Sequence, residues 1–371
     1  MKFKEQFTQE QLDTDYTYFL GKSGYLLDLE FEAAFPISSI EKRKPNLWRY
    51  REALPIVRDA DMISFEEGFT PLLPLSFNNK QAFIKQDHLF PTGSYKDRGA
   101  SVLLSHINHL KIDKVVQDSS GNAGCAVAAY AARAGIACDI FVPADTSAAK
   151  LAQMEWYGAQ LFKIAGTRED TAAAALDAAS KHYYASHCYN PFFLHGTKTF
   201  AYEVCEQLGW IAPDAVVLPA GNGTLLLGCY IGFSDLLKAG IIGQMPKLIG
   251  VQSINCAPLA TAFAMGESKP AAIDSLPSVA EGIAIAKPVR GEQMIHAVKE
   301  SKGSFISVDE TEIINALQEI ISKGFYIEPT SAATIAGLKK YLLQSENEVV
   351  VSLFSGHGLK STEKLLKLLH H

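Results

Sequence analysis

The chain has 371 residues, a length that suggests about two domains and leaves ample room for a large core. Apolar residues make up 48% and charged residues 20%, which is typical of a globular protein and excludes a disordered or fibrous chain. The 34 Lys and Arg residues against 40 Asp and Glu residues give a net charge of -6 without a block of like charge. We therefore expect neither nucleic-acid binding nor binding to an anionic membrane.

The sequence also argues against a membrane span and a secretion signal. The apolar run 125–140 is rich in Ala and Gly but contains Arg133 and Asp139, and the N-terminal MKFKEQFTQEQ lacks an apolar segment. The six cysteines form no CxxC pair and have apolar neighbours, which indicates reduced, buried thiols. We therefore expect a cytoplasmic protein.

Short apolar strands alternate with helices rich in small residues. In chain order, the pattern predicts a strand at 113–117, a helix at 122–135, a strand at 136–143, a helix at 147–158, a strand at 159–165, a helix at 168–181, a strand at 215–219, a helix at 225–238, and strands at 247–252 and 348–354. This alternation indicates parallel sheets covered by helices on both faces. We predict two α/β domains: a larger one formed by 1–96 plus 201–371, and a smaller inserted one formed by 97–200.

Three glycine-bearing loops lie where ligands usually bind in α/β sheets, after a strand and before a helix. The loop 91–100 (PTGSYKDRGA) places Lys96 at a helix start, which is unfavourable for a cation, so the lysine is either a solvated surface residue or needed for its amine. The loop 118–124 (DSSGNAG) suits a carboxylate but also reads as an ordinary N-cap. The loop 219–224 (PAGNGT) has two glycines that let the backbone approach a phosphate.

Taken together, four segments have the order and spacing found in the fold type II enzymes that use pyridoxal phosphate (PLP): PTGSYKDRGA, SSGNAG, PAGNGT and SGHGLK. From about Glu67 to Lys360 the chain resembles the threonine synthases most and the threonine and serine dehydratases next. The resemblance implies two doubly wound α/β domains of PLP fold type II, with PLP in the cleft between them. It also implies a homodimer acting on a small amino acid.

The resemblance assigns roles to residues that match the family motifs. Lys96 is implied to be the catalytic residue and to hold PLP covalently. The other implied cofactor-binding residues are Asn122 at the 3'-oxygen, Gly221, Asn222, Gly223 and Thr224 around the phosphate, and Ser355 at the pyridine nitrogen. The implied substrate-binding residues are Ser119, Ser120 and Gly121 at the carboxylate, together with Asn190 and Lys198.

Two departures from the threonine synthase pattern affect these expectations. Residues 20–24 read LGKSG where many threonine synthases have a CxxCG ribbon, so we expect no zinc site and no other metal. In 190–199 (NPFFLHGTKT), Phe193 stands where these enzymes have an arginine that contacts the substrate phosphate, and an aromatic ring cannot replace a guanidinium. Lys198, or else His195, is expected to supply the positive charge.

The resemblance leaves the reaction open between related chemistries. The leading hypothesis is a PLP-dependent lyase that eliminates phosphate from O-phosphohomoserine and adds water, as threonine synthase does. The alternative is a threonine or serine dehydratase, or another elimination or replacement enzyme, which Phe193, Ser355 and Glu281 favour. A PLP-binding protein without catalysis is a third reading. Glu281 could approach the cofactor or be an ordinary strand-end carboxylate, and His357 could touch the cofactor or cap the last helix.

Overall fold

The computed structural model describes residues 1–77, 79–166 and 168–369, and the chain forms two compact units. Unit 1 comprises Met1–Gly68 and Lys96–Thr197, and unit 2 comprises Phe69–Tyr95 and Lys198–His371. The chain therefore passes between the units at three peptide bonds, and one of these joins Tyr95 to Lys96.

The secondary structure alternates strands and helices over most of the chain. The strands are β1 (Lys2–Glu5), β2 (Gln11–Leu12), β3 (Leu27–Glu30), β4 (Leu72–Phe77), β5 (Lys80–Lys85), β6 (Lys114–Gln117), β7 (Ala137–Pro143), β8 (Gln160–Ile164), β9 (Tyr183–Tyr184), β10 (Ala215–Pro219), β11 (Lys247–Ser253), β12 (Ser304–Val308) and β13 (Val350–Leu353). The α-helices are α1 (Ile37–Ile40), α2 (Lys96–His109), α3 (Asn122–Ala134), α4 (Ala148–Trp156), α5 (Arg168–Ala179), α6 (Pro191–Thr197), α7 (Thr199–Gln207), α8 (Thr224–Lys238), α9 (Pro258–Ala264), α10 (Gly291–Glu300), α11 (Glu310–Ser322), α12 (Pro329–Gln344) and α13 (Thr362–Leu369). Short 3-10 turns cover Leu47–Ala53, Asp59–Asp61, Asp87–Leu89, Glu281–Ile283 and Gly358–Ser361.

Unit 1 is built on a four-stranded parallel sheet in the order β8-β7-β6-β9. The inner strands are fully buried at Val115, Val116, Ile140 and Val142, as expected for a parallel sheet covered on both faces. The alanine-rich α3 packs against β7 and ends at Gly135, whose φ of +69° places it in the left-handed region that glycine adopts without strain.

In the same unit, α2 and α6 approach each other closely because two glycines lie at their contact. A Cβ atom on Gly196 would lie 2.1 Å from the carbonyl oxygen of Arg98, and one on Gly99 would lie 2.3 Å from the ring of Phe193. Any side chain at either position would push the helices apart. The glycine of the KDRGA segment therefore has a packing role, and it fixes Phe193 against α2.

The N-terminal strands form a three-stranded antiparallel sheet, in the order β2-β1-β3, that belongs to unit 1. Its apolar residues Phe3, Leu27 and Leu29 are buried in the same hydrophobic cluster as Leu103 of α2. This division differs from the predicted one, in which 1–96 joined 201–371 and only 97–200 formed the inserted domain. These strands are only two to four residues long, so the sequence pattern carries no signal for the partner against which they pack.

Unit 2 contains a six-stranded sheet in the order β12-β11-β10-β13-β5-β4, in which only the edge strand β4 runs antiparallel to its neighbour. Every residue of the central strand β10 is buried. Helix α12 lies against β11 at Gly337, where a Cβ atom would come within 2.4 Å of the Val251 side chain. Because β10 and β13 are parallel neighbours, their carboxyl ends lie side by side at one edge of the sheet.

The elements predicted from the sequence are confirmed, with ends within two residues of the expected ones. The predicted α/β class with parallel sheets is also confirmed. The six cysteines are all buried, three in each unit. Within the part of the chain that the structure describes, no helix is both long and apolar enough to cross a membrane.

Candidate active site

The predicted phosphate loop joins β10 to α8 in unit 2. Gly223 has a φ of +77°, a conformation that residues with a side chain rarely adopt. A Cβ atom on Gly221 would lie 2.7 Å from the carbonyl oxygen of Gly282 and 3.0 Å from the Cα of Ile283, so this glycine allows two stretches of backbone to touch. The first N–H groups of α8 have no acceptor within the helix and point out of its N-terminus, where they favour an anion.

Ser355 lies just beyond β13, the parallel neighbour of β10. Its hydroxyl is buried, and its Oγ lies 3.0 Å from the Oγ of Ser331 in the first turn of α12. The Ser331 hydroxyl also accepts a hydrogen bond from the N–H of Gly356, with a donor–acceptor distance of 3.0 Å. Ser355 is therefore held at the same sheet edge as the phosphate loop, with a defined hydroxyl partner.

Tyr95 connects these two features. Its N–H donates to the carbonyl oxygen of Ser355 at 3.1 Å, and its hydroxyl oxygen lies 3.1 Å from the Oγ1 of Thr224. Unit 2 thus brings together the end of the lysine loop, the phosphate loop and the serine after β13, while Lys96 follows as the next residue of the chain. The sequence motifs assign no role to Tyr95, and the one feature that could have pointed to it is its position directly before Lys96.

In unit 1, Lys96 is the first residue of α2, as the sequence predicts. Its Nζ lies 5.7 Å from the centroid of the Phe193 ring, a cation–π distance. Phe193 is fully buried, and its ring meets the ring of His187 edge-on at a centroid separation of 6.0 Å. The residue that replaces the family arginine therefore presents an aromatic face to the lysine amine.

The predicted carboxylate loop of unit 1 is accessible and tightly folded over α3. A Cβ atom on Gly124 would lie 1.9 Å from the carbonyl oxygen of Ser119, so only glycine permits this approach. The Oγ of Ser119 accepts a hydrogen bond from the N–H of Gly121 at 3.3 Å. Ser119, Ser120 and Asn122 are half-buried and Gly121 is exposed, so the N-terminus of α3 can receive a carboxylate.

Asn190 is occupied by contacts within unit 1. Its Nδ2 donates to the hydroxyl of Tyr183 at 2.7 Å, and its Oδ1 accepts from the N–H of Phe192 at 3.0 Å. The second of these bonds satisfies an N–H group at the start of α6. Both ends of the Asn190 amide are therefore used within unit 1, and its oxygen caps the start of α6.

Lys198 does not present its charge to solvent, contrary to the expectation that it replaces the missing arginine. It is fully buried in unit 2, and its Nζ forms an ion pair with the Oδ2 of Asp235 at 2.9 Å. Burial lowers the pKa of Lys198, and Asp235 opposes this shift. The physical reason is the close packing of α7 on α8, where a Cβ on Gly232 would lie 2.5 Å from the Lys198 carbonyl oxygen. The ion pair joins the two helices.

We expect replacement of Lys198 by alanine to lower the free energy of unfolding by about 3–5 kcal/mol, because Asp235 would keep a largely buried charge without its partner. Denaturant unfolding measures the loss. Lys247→Ala is the matched control, since it breaks an ion pair with Glu348 whose lysine is 45% exposed, and such pairs contribute about 0–1 kcal/mol. A raised KM with an unchanged unfolding curve would instead return Lys198 to substrate binding.

Three residues whose roles the sequence left open also have structural contacts: Glu281, His357 and His195. Glu281 is about half exposed and pairs with Lys364 of α13 at 2.5 Å. The Nδ1 of His357 accepts a hydrogen bond from the N–H of Leu359 at 3.2 Å and so caps the turn Gly358–Ser361. His195 is buried in unit 1 and meets the ring of Phe31 edge-on at 6.2 Å.

The N-terminal segment 20–24 forms a turn that is held by a carboxylate. Glu5 accepts hydrogen bonds from the N–H groups of Ser23 at 2.8 Å and Tyr25 at 3.4 Å. The hydroxyl of Thr8 also donates to this carboxylate, and this bond, followed by those from Ser23 and Tyr25, lowers the pKa of Glu5. A Cβ atom on Gly21 would lie 2.2 Å from the Glu5 carboxylate, so a side chain at this position would displace that carboxylate. Across residues 1–77, 79–166 and 168–369, no group of three or more His, Cys, Asp or Glu side chains could hold a metal ion.

The geometry of unit 2 fits the phosphate and ring of the cofactor that the resemblance implies. The loop between β10 and α8 is a cradle that a Cβ on Gly221 would disrupt, and the hydroxyl of Thr224 lies beside it. The hydroxyl of Ser94 is fully buried and has no hydrogen-bond partner among the described residues, which is unfavourable unless a bound molecule supplies one. These donors suit an anion together with a polar ring.

Comparison with known proteins identifies the family. Residues 63–356 match the family model described as "Pyridoxal-phosphate dependent enzyme". A threonine synthase of Methanocaldococcus jannaschii is 33% identical, covering 96% of this chain and 92% of its own length, and one of Methanosarcina acetivorans is 32% identical, covering 94% and 89%. The structure of the processed form of threonine deaminase isoform 2 from Solanum lycopersicum superposes with a TM-score of 0.71 at 22% identity, covering 95% of this chain and 94% of that one, and shows the same fold. The chain therefore belongs to the family of pyridoxal-phosphate-dependent enzymes, in which it is a threonine synthase-like lyase of fold type II.

Proposed function

We propose that this enzyme converts O-phosphohomoserine and water to threonine and phosphate. The observation that carries the proposal is the similarity to threonine synthases along nearly the whole chain, at 33% identity over 96% of its length. The joint position of Thr224 and Ser355, linked through Tyr95 in unit 2, supports the cofactor arrangement that this reaction needs.

The residues of the chain divide the work as follows. Lys96 would hold PLP covalently through its amine and would move protons at Cα and Cβ of the substrate. PLP, when bound, supplies the electron sink for charge that develops at Cα. The loop before α8 would hold the cofactor phosphate with N–H groups and a hydroxyl, through Gly221, Asn222, Gly223 and Thr224.

Two further groups orient the cofactor ring and the substrate. Asn122 holds the 3'-oxygen of the cofactor with its amide, and the N-terminal loop of α3 holds the substrate carboxylate through Ser119, Ser120 and Gly121. Ser355 meets the ring nitrogen with a hydroxyl. Because a hydroxyl, unlike a carboxylate, does not force a proton onto that nitrogen, the site favours elimination and replacement over transamination.

A second candidate function is dehydration of threonine or serine, and the surroundings of Lys96 favour it. The buried Phe193 ring lies 5.7 Å from the Lys96 amine, at the position of the family arginine, and Lys198 is paired with Asp235. Neither position then offers a cation to a phosphorylated substrate. Threonine and serine carry no phosphate group, so they need no cation at these positions.

A product assay separates the two functions. The purified holoenzyme receives O-phosphohomoserine, threonine and serine in separate reactions, and phosphate, threonine and 2-oxo acid are measured. We expect equal amounts of phosphate and threonine from O-phosphohomoserine, and little 2-oxo acid from the other two substrates. Release of 2-oxobutanoate from threonine without phosphate release from O-phosphohomoserine would replace the synthase with the dehydratase.

We also propose that the enzyme works as a homodimer in the cytoplasm, in amino-acid biosynthesis. The burial of all six cysteine thiols supports a reducing compartment, where thiols persist without forming disulfides.

A further inference from the structure

The first residue of the loop before α8 is fastened on both sides to the neighbouring strand β11. The N–H of Ala220 donates to the carbonyl oxygen of Val251 at 2.9 Å, and the carbonyl oxygen of Ala220 accepts a hydrogen bond from the Nε2 of Gln252 at 3.0 Å. Ala220 and Gln252 are both fully buried. The second bond comes from a side chain, so it depends on which residue occupies position 252.

The other end of the Gln252 amide fixes its orientation. Its Oε1 accepts hydrogen bonds from the N–H groups of Leu259 and Ala260, both at 3.0 Å, at the start of α9. An amide oxygen accepts and an amide nitrogen donates, so these two bonds decide which end of the amide faces the Ala220 carbonyl. Turning the amide around would leave two N–H groups at the start of α9 without their acceptor.

The bond to Ala220 also sets the direction of the next N–H group. The peptide unit between Ala220 and Gly221 is trans and planar, so its C=O and N–H point in opposite directions. The N–H of Gly221 therefore points away from Gln252. Gly221 is buried, and in the described part of the chain this N–H has no hydrogen-bond acceptor. A buried donor without an acceptor is unfavourable, and a bound anion would supply one.

We propose that Gln252 is a positioning residue for the cofactor phosphate, because it holds the peptide between Ala220 and Gly221 in the orientation that presents the Gly221 N–H to that phosphate. The proposal rests on the phosphate site assigned to residues 221–224 under the proposed function. Gln252 acts through the main chain of the loop and not by contact with the phosphate.

The test is the variant Gln252→Glu, which keeps oxygen acceptors for the start of α9 and removes the donor to the Ala220 carbonyl. At neutral pH we expect the cofactor-free variant to bind PLP about tenfold more weakly than wild type, the effect of losing one hydrogen bond to a buried carbonyl. The ³¹P NMR signal of bound PLP should shift.

Lowering the pH should reverse this loss. A protonated carboxyl group can again donate to the Ala220 carbonyl, so the ratio of variant to wild-type affinity should rise as the pH falls. Gln252→Met has a similar length but cannot regain a donor, so its affinity relative to wild type should stay low at every pH.

Gln117 provides the matched control in unit 1. It is buried at the end of β6, its Nε2 donates to the carbonyl oxygen of Ala185 at 2.8 Å, and its Oε1 accepts from the N–H of Asp118 at 2.8 Å. Gln117→Glu therefore places the same buried carboxylate against a main-chain carbonyl. It should lower the thermal stability of the cofactor-free protein as Gln252→Glu does, but it should leave the ³¹P signal of bound PLP unchanged.

Unchanged PLP affinity together with an unchanged ³¹P signal in Gln252→Glu at neutral pH would overturn the proposal, and so would an equal ³¹P shift in Gln117→Glu. If Gly221→Ala also retained PLP, the phosphate site itself would be wrong, whereas retention in the Gln252 variants alone would refute only the positioning role. These measurements need no substrate, so their failure is distinct from failure of the O-phosphohomoserine assay.

Discussion

Replacement of Lys96 by alanine is expected to abolish turnover, with a loss of at least 10²–10⁴-fold, the usual contribution of a positioned proton-transfer group. The visible absorbance of PLP attached to the lysine should disappear, while PLP itself can still bind through the loop before α8. The fold should persist because alanine is a strong helix former and Lys96 is the first residue of α2. Single-turnover assays and absorbance spectra of the same sample measure both effects.

Lys181→Ala provides the matched control for this change, since Lys181 is an exposed lysine of unit 1. It should retain wild-type activity and absorbance. If Lys96→Ala kept its activity, the lysine would not hold the cofactor, and the roles assigned around it would have to be moved to another amine.

The second large effect is expected for Gly221→Ala. The added methyl group would meet two backbone atoms, the carbonyl oxygen of Gly282 at 2.7 Å and the Cα of Ile283 at 3.0 Å, and backbone cannot swing aside as a side chain can. The loop before α8 must therefore shift. We expect PLP affinity to fall more than tenfold and the free energy of unfolding to drop by about 1–3 kcal/mol, as for other overpacked sites. Equilibrium dialysis and denaturant unfolding measure the two losses.

The same substitution at Gly243 isolates the effect of position. A Cβ atom there would have no neighbour within 4 Å, so Gly243→Ala should leave PLP binding unchanged and stability unchanged or slightly raised. Undiminished PLP retention in dialysed Gly221→Ala would show that the cofactor phosphate binds elsewhere.

The sequence predicts those parts of the enzyme that depend on local chemistry. The alternation of strands and small-residue helices between 113 and 181 predicts the parallel sheet of unit 1, because periodicity and helix ends are local signals. The loop of Gly221 to Thr224 was likewise predicted to open a helix, and α8 begins at Thr224. The structure adds that Ser355 lies at the end of the neighbouring strand, a relation set by sheet order.

What the sequence does not predict is decided by contacts between distant residues. The sequence predicts Lys198 as a substrate-binding cation, and only the packing of α7 on α8 shows that it forms an ion pair with Asp235. Phe3 and Leu29 likewise carry no sequence signal that they pack with unit 1. The hydroxyls of Tyr95 and Thr224 are in contact although the residues are more than 120 positions apart, so the sequence near either residue does not predict the contact.

The even distribution of buried cysteines offers a way to follow the two units separately. Cys125, Cys138 and Cys188 lie in unit 1, and Cys205, Cys229 and Cys256 lie in unit 2. Burial raises the pKa of Cys138 and of Cys205 to about 12, so an alkylating reagent can modify these thiols only when the surrounding structure opens. Mass spectrometry of peptides from partly alkylated native protein would therefore report the opening equilibrium of each unit in one sample. The chain carries its own probes of local unfolding, without an introduced label.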